Sequence, residues 1–262
     1  MDLNLTGKRV VVTGGSKGIG FAIAKEFLNE GAIVTITGRN QTDLNHAVNE
    51  LSKYGTIYGV QADGSKEEEV YKAAEQAAGK EKRIDAWVNN IGTNKPRKGE
   101  LYTGEEIDYL VDACFKSAVF GSQAAYQYMK REGGSIVNIS SLAARCATAG
   151  RSTIYASMKA ALLGLTSTLA GEYAAYGIRV NAVLPGYTKT PLVEGIFTQS
   201  ALDKLLQNNL LRRMADPQEI AKPVVFLASD AASYITAANL GVDGGHSKVL
   251  NAEYSYEQKK ER

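Results

Sequence analysis

The stretch 9-RVVVTGGSKGIGFAIAKEF-27 decides the fold. A β-branched run from Arg9 breaks at glycines and resumes as FAIAKEF, an apolar pattern of helical period. Gly14, Gly18 and Gly20 are spaced G-x-x-x-G-x-G. Glycines so placed let the backbone turn sharply and approach a pyrophosphate, while free N–H groups at the start of the helix meet its negative charge. Strand, glycine turn and helix in this order predict a dinucleotide-binding unit.

Outward from this unit the same rhythm repeats. Further strands are expected at AIVTITG from Ala32, TIYGVQAD from Thr56, IDAWVNN from Ile84, GSIVNIS from Gly134, IRVNAVLPG from Ile178 and a last one near Asn239 to Asp243, seven in all. Helical patterns fill the gaps: Gln41 to Tyr54, Glu67 to Lys80, a long span from Glu105 to Lys130, and Thr153 to Gly177. Alternation of this kind predicts βαβ units, hence an α/β fold with a parallel sheet covered on both faces. No linker or repeat divides residues 1–262, so one domain is expected. The irregular stretch at about 187–215 is too long for an ordinary connection and is expected to form a substrate lid. The polar tail from about His246 is expected either to fray or to pack on a neighbouring subunit.

Composition narrows the function by exclusion. The chain has 262 residues, 44% of them hydrophobic, enough for a large core. Thirty basic and twenty-eight acidic residues leave a net charge of +2, which argues against nucleic acid or an anionic membrane as partner. No apolar run spans a bilayer, and the N-terminus fits no secretory or transit signal. Two cysteines, Cys114 and Cys146, make no disulfide framework, so a reducing cytoplasm is the default location. The histidines, His46 and His246, stand apart from any ligand set, and no metal is expected.

The second strand points to the coenzyme. It ends in Gly38-Arg39, where an acid would hold the ribose hydroxyls of NAD. With the acid missing, Lys17 and Arg39 together favour a 2′-phosphate, and so NADP(H) over NAD(H), because a guanidinium binds phosphate oxygens in a forked geometry. Either cation read alone is a solvated surface charge. Asp63, after the third strand, suits either an acceptor for the adenine ring or a helix N-cap.

Five motifs occur in order: TGGSKGIG at Thr13 to Gly20, NNIG at Asn89 to Gly92, NISS at Asn138 to Ser141, Tyr155-x-x-x-Lys159, and LPGYTKT at Leu184 to Thr190. In these the sequence strongly resembles the short-chain dehydrogenase/reductases, from about Leu5 to Gly245. The resemblance implies a Rossmann-type, doubly wound fold, a nicotinamide coenzyme, and hydride exchange with a ketone or secondary alcohol. It implies coenzyme contacts from Gly14, Ser16, Lys17, Gly18, Ile19, Gly20, Asn90, Gly92, Pro185, Gly186 and Thr188, with Thr188 on the nicotinamide carboxamide. Tyr155 is then the general acid/base, and Lys159 lowers its pKa while holding the nicotinamide ribose. Residues four apart share one helix face, which suits both to a single ribose and carbonyl. Ser141 matches the serine that bonds the substrate oxygen. Ser140 competes with it for that role, and the preceding strand decides for Ser141.

One position departs from the pattern. Cys114 stands where the family usually has an asparagine whose main-chain carbonyl helps hold a relay water; a cysteine backbone can still serve, and activity with a perturbed relay is expected. Cys114 itself reads as core rather than as a redox centre. The expectation is therefore an NADP(H)-dependent oxidoreductase acting on a small carbonyl or alcohol, with a catalytically weak NADPH-binding sensor or scaffold as the alternative. Steroid or bile-acid-like ketones, cyclic ketones, sugar acids and acyl-carrier ketones all fit. Tyr187, Leu192, Val193, Ile196, Phe197 and Leu202 suggest an apolar lid, while the 94–98 loop, Arg145 and Arg151 place positive charge near the pocket mouth. By family analogy the chain assembles as a homodimer or homotetramer through the long helices.

Overall fold

The computed structural model describes residues 2–94, 98–146, 153–191, 193 and 198–260. Seven strands, β1 (Arg9–Val12), β2 (Ile33–Gly38), β3 (Ile57–Gln61), β4 (Ala86–Asn89), β5 (Gly134–Ile139), β6 (Ile178–Pro185) and β7 (Asn239–Val242), form one sheet in the order β3-β2-β1-β4-β5-β6-β7. Every pairing is parallel, with Val10 opposite Val34 on one side and Ala86 on the other. The seven expected strands are all present, and the fold is the Rossmann-type single domain. The order reverses between β1 and β4, so a crevice opens there at the carboxyl ends of the strands.

Side-chain alternation explains how the sheet is covered. Val10 and Val12 face one layer, packing with Ala22, Ile23 and Phe27 of α1 (Gly18–Asn29), with α2 (Gln41–Leu51) and with α8 (Pro217–Ala228). Val11 faces the other, with α3 (Glu67–Ala78), α5 (Ser117–Met129) and α6 (Thr153–Tyr173). Trp87 is fully buried in that second layer. Each large apolar side chain so buried contributes about 1.5–3 kcal/mol. Gly31 and Gly177, with φ of 78° and 67°, close helices as expected.

Four elements differ from the sequence expectation. The long span from Glu105 is not one regular helix: α4 (Gly104–Val111) passes through a π-helical turn at Asp112–Lys116 before α5. Cys114 sits in that turn. Helix α8 is an addition to the expected elements; Pro223 interrupts its apolar pattern from within. The expected lid contributes one short helix, α7 (Gln199–Leu206), while Leu192, Ile196 and Phe197 lie outside the described residues.

The fourth difference is the tail, which is helical and makes contacts within its own chain. It ends in α9 (Tyr254–Lys260) and packs on its own chain: Tyr256 Oη donates to the Leu210 carbonyl at 2.6 Å and its ring lies 4.3 Å from the Arg212 guanidinium. Ala252 is buried beside it.

Candidate active site

The loops at the carboxyl ends of β1 to β6 enclose a cleft of ≈ 1040 Å³, and all the residues expected to bind coenzyme or substrate line it. At one end is the glycine turn. Gly14 has φ +65°, a conformation that disfavours side chains, and a Cβ on Gly20 would lie 2.3 Å from the Gly14 carbonyl oxygen. Asn90 braces this turn, its Nδ2 donating to the carbonyls of Thr13 (3.0 Å) and Gly14 (3.1 Å). Helix α1 starts at Gly18 with no side-chain cap, leaving its first N–H groups turned toward the cleft. A backbone cradle that tolerates no Cβ, followed by an uncapped helix start, fits a dinucleotide pyrophosphate.

At the carboxyl ends of β2 and β3, Gly38, Arg39 and Asp63 line the cleft. Asp63 is not the N-cap of α3, a position held by Lys66. Its Oδ1 accepts from Ser65 N at 3.0 Å and Ser65 Oγ at 2.8 Å, and despite the opposing effect of burial these bonds with Arg39 and Lys66 hold its carboxyl below the usual range. Lys17 pairs with Asp43 at 2.7 Å, a partner the sequence reading did not foresee.

The opposite end of the cleft gathers Ser141, Tyr155 and Lys159. Helix α6 carries the last two and is tied to the end of β5 in three places. Asn138 Nδ2 donates to Thr166 Oγ1 at 2.9 Å, Ser140 Oγ to the Lys159 carbonyl at 2.7 Å, and Lys159 Nζ to the Ile139 carbonyl at 2.8 Å. Ser140 is thus committed to α6, while Ser141, its neighbour, faces the cleft and bonds the Tyr155 side chain. Asn138 in turn accepts from Asn89 Nδ2 at 2.9 Å, and Asn89 accepts from Trp87 Nε1 at 2.8 Å, so a satisfied buried network anchors the helix. Gly121 makes room for it, since a Cβ there would lie 2.1 Å from Asn89 Oδ1.

Electrostatics here differ from the expectation that lysine lowers the tyrosine pKa. In the protein itself burial dominates and pushes the Tyr155 phenol up to about 12, with the Ser141 hydrogen bond pulling the other way. Lys159 is 2% exposed, and burial lowers its own pKa. Its ammonium stands 5.9 Å from the centre of the Tyr155 ring. Gly92 lets it sit there, since a Cβ on that residue would lie 2.8 Å from Nζ.

Cys114 is fully buried and its thiol is held by Thr93, whose N–H donates to Sγ at 3.5 Å and whose carbonyl accepts from Sγ at 3.2 Å. Thr188 is buried and donates to the Gly186 carbonyl at 3.0 Å, shaping the turn after β6. Over the cleft, Tyr187 and Val193 line the wall and Leu202 does not. His246 packs edge-on against Tyr187 with ring centres 5.6 Å apart. Of the positive charges expected near the mouth, Arg145 donates to the Asn239 carbonyl at 3.3 Å, and residues 95–97 and Arg151 lie outside the described residues. Among the described residues no cluster suits a metal, and no helix is long and apolar enough to cross a membrane.

A glycine-cradled cleft at the switch point of a parallel sheet, with serine, tyrosine and lysine at its far end, places the chain in a known class: it belongs to the short-chain dehydrogenase/reductase family of oxidoreductases, whose members bind a nicotinamide coenzyme. The profile of a family described as Enoyl-(Acyl carrier protein) reductase matches residues 14–247. Among relatives, the chain is similar to a tropinone reductase homologue of Arabidopsis thaliana, 35% identical over 248 residues that cover 92% of each chain. It is 34% identical to the 3-oxoacyl-[acyl-carrier-protein] reductase FabG of Chlamydia pneumoniae, covering 94% of this chain and 99% of that one. A solved short-chain type dehydrogenase/reductase from Mycobacterium marinum superposes with a TM-score of 0.89 at 30% identity, covering 95% and 98% of the two chains.

Proposed function

We propose that the protein is an NADP(H)-dependent carbonyl reductase in which Tyr155 is the general acid/base. The observation that carries this reading is the convergence of Ser141, Tyr155 and Lys159 on one end of a cleft whose other end presents Lys17 and Arg39. Bound coenzyme supplies the hydride that goes to the carbonyl carbon. The Tyr155 hydroxyl gives its proton to the carbonyl oxygen, and Ser141 donates a hydrogen bond as charge gathers there. Lys159, held at the Ile139 carbonyl against Gly92, is assigned to the nicotinamide ribose hydroxyls, with Gly92, Pro185, Gly186 and Thr188 around that half of the site and Asn90 bracing the glycine turn. Similarity to a tropinone reductase homologue and to a 3-oxoacyl reductase supports a ketone or its alcohol as substrate.

The alternative of a weakly active NADPH-binding sensor had Cys114 as its motive. That thiol is occupied with the Thr93 peptide, and the three reacting side chains are intact, which favours the enzyme. Assembly as a homodimer or homotetramer and a cytoplasmic location belong to the same proposal.

The test is a panel of ketones and secondary alcohols followed by nicotinamide absorbance with both coenzymes; reduction of a ketone by NADPH supports the reading, and no turnover with any of them sinks it. Coenzyme choice rests on Arg39, which lines the cleft and, among the described residues, has no carboxylate ion-pair partner. Arg39→Asp replaces a forked phosphate donor by a repelling charge. It is expected to shift the NADPH-to-NADH ratio of kcat/KM by about tenfold or more toward NADH. An unaltered ratio would remove Arg39 from the binding of the 2′-phosphate.

A further inference from the structure

The cleft's adenosine end holds a charge arrangement that the family motifs do not account for. Lys17 lines the cleft directly before Gly18, yet its ammonium is 2.7 Å from the carboxylate of Asp43, in the first turn of α2. Asp43 is fixed at its backbone, where its N–H donates to the Asn40 N-cap side chain at 3.0 Å. Its carboxylate is therefore presented from a rigid helix start, while Lys17 reaches it on a flexible stem. Arg39, two residues before α2 begins at Gln41, has no carboxylate ion-pair partner among the described residues, although its charge acts on Asp63, and its carbonyl accepts from Gln61 Nε2 at 2.9 Å.

We infer that Asp43 sets the margin between NADP(H) and NAD(H), acting as a positioning residue through Lys17. This rests on the NADP(H) reading above. A 2′-phosphate carries close to two negative charges, and a lysine already paired with a carboxylate offers it a dipole rather than a net cation. The pair thus tempers phosphate affinity and leaves Arg39 as the principal discriminator. NADH, with hydroxyls in place of the phosphate, is far less sensitive to the same cancellation.

Asp43→Asn keeps the size of the side chain and an oxygen able to accept from Lys17, but removes the charge. The experiment titrates NADPH and NADH, each alone, into the full-length protein and its variants by calorimetry at low and at physiological ionic strength. Asp43→Asn is expected to raise the NADPH-to-NADH affinity ratio by roughly three- to tenfold, with the larger gain at low salt. Asp43→Glu is expected to restore the wild-type ratio, and in a Lys17→Ala background Asp43→Asn is expected to change it less than about twofold. A damaged α2 would weaken both coenzymes together and leave the ratio where it was. An unchanged or lowered ratio in Asp43→Asn overturns the inference, as does an equal rise in the Lys17→Ala background. If the wild-type protein binds NADPH no more tightly than NADH and Arg39→Asp leaves the ratio unmoved, the NADP(H) reading itself fails, a different result from a preference that exists and ignores Asp43.

Discussion

Tyr155→Phe is expected to lower turnover by about two to four orders of magnitude while leaving NADPH affinity and thermal stability close to wild type. The ring that packs in the cleft wall is kept and only the hydroxyl is lost. What disappears is the proton donor and the partner of Ser141. Residual activity is expected, because Ser141 still donates to the carbonyl oxygen and the coenzyme is still oriented. Steady-state rates with the best ketone of the panel, beside a melting curve, decide it. Unchanged turnover would take Tyr155 out of the reaction.

Lys159→Met has a less obvious signature, because activity and stability should move apart. Lys159 is buried, its ammonium donates to the Ile139 carbonyl at 2.8 Å, and its surroundings already disfavour the charge. Burying an ammonium costs several kcal/mol in effective desolvation, and an apolar side chain of similar length escapes that cost. The freed Ile139 carbonyl gives back about 1 kcal/mol of the gain. Turnover is therefore expected to fall by about two to three orders of magnitude, while Tm stays level or rises by up to about 3 °C, the shift that ~1 kcal/mol produces in a chain of this size. A lysine kept for function at the expense of stability gives that pair of results. A drop in Tm of about 5 °C or more, with activity lost only in proportion to unfolding, would instead make Lys159 a structural residue.

How much of this was legible beforehand differs from element to element, for physical reasons. β1, the glycine turn and α1 are specified locally: a buried parallel strand must be apolar on both faces, and a close backbone approach must be glycine. β2, β4, β5 and β6 were legible on the same ground, while β3 and β7, at the edges of the sheet and half exposed, were legible from their place in the strand–helix alternation. Helix α8 carried a readable signal that was passed over. Asp216-Pro217-Gln218-Glu219 combines a capping acid, a proline at the first helical position and a glutamate whose Oε2 accepts from Asp216 N at 2.9 Å. The π turn had no such signal, because the apolar pattern runs on through it and only the backbone shows the extra residue per turn.

Within the site, Tyr155, Lys159, Ser141 and the glycines could be named from motif order alone. The sequence could not give the balance of forces on them. Whether lysine or burial dominates the tyrosine pKa depends on how deeply the hydroxyl sits, which is a property of packing. Nor could it pair Lys17 with Asp43, which lie on separate elements, or seat Tyr256 on Leu210. Contacts between a helix start and a distant loop leave no periodic trace.

The claim on which the rest depends is that one phenol exchanges the reacting proton. The most direct measurement is the pH dependence of alcohol oxidation under saturating oxidised coenzyme. Oxidation needs the phenolate, which grows tenfold per pH unit below the phenol's pKa, so the rate should rise with a slope near one from about pH 6 to 8. Burial, only partly offset by the Ser141 hydrogen bond, pushes that pKa up to about 12 in the protein itself; the positive charge of a bound oxidised nicotinamide would favour the phenolate and bring the plateau lower. Ketone reduction needs the protonated phenol and should stay flat over the same range. A pH-independent oxidation rate, or the same slope retained in the residual activity of Tyr155→Phe, would contradict the assignment of Tyr155.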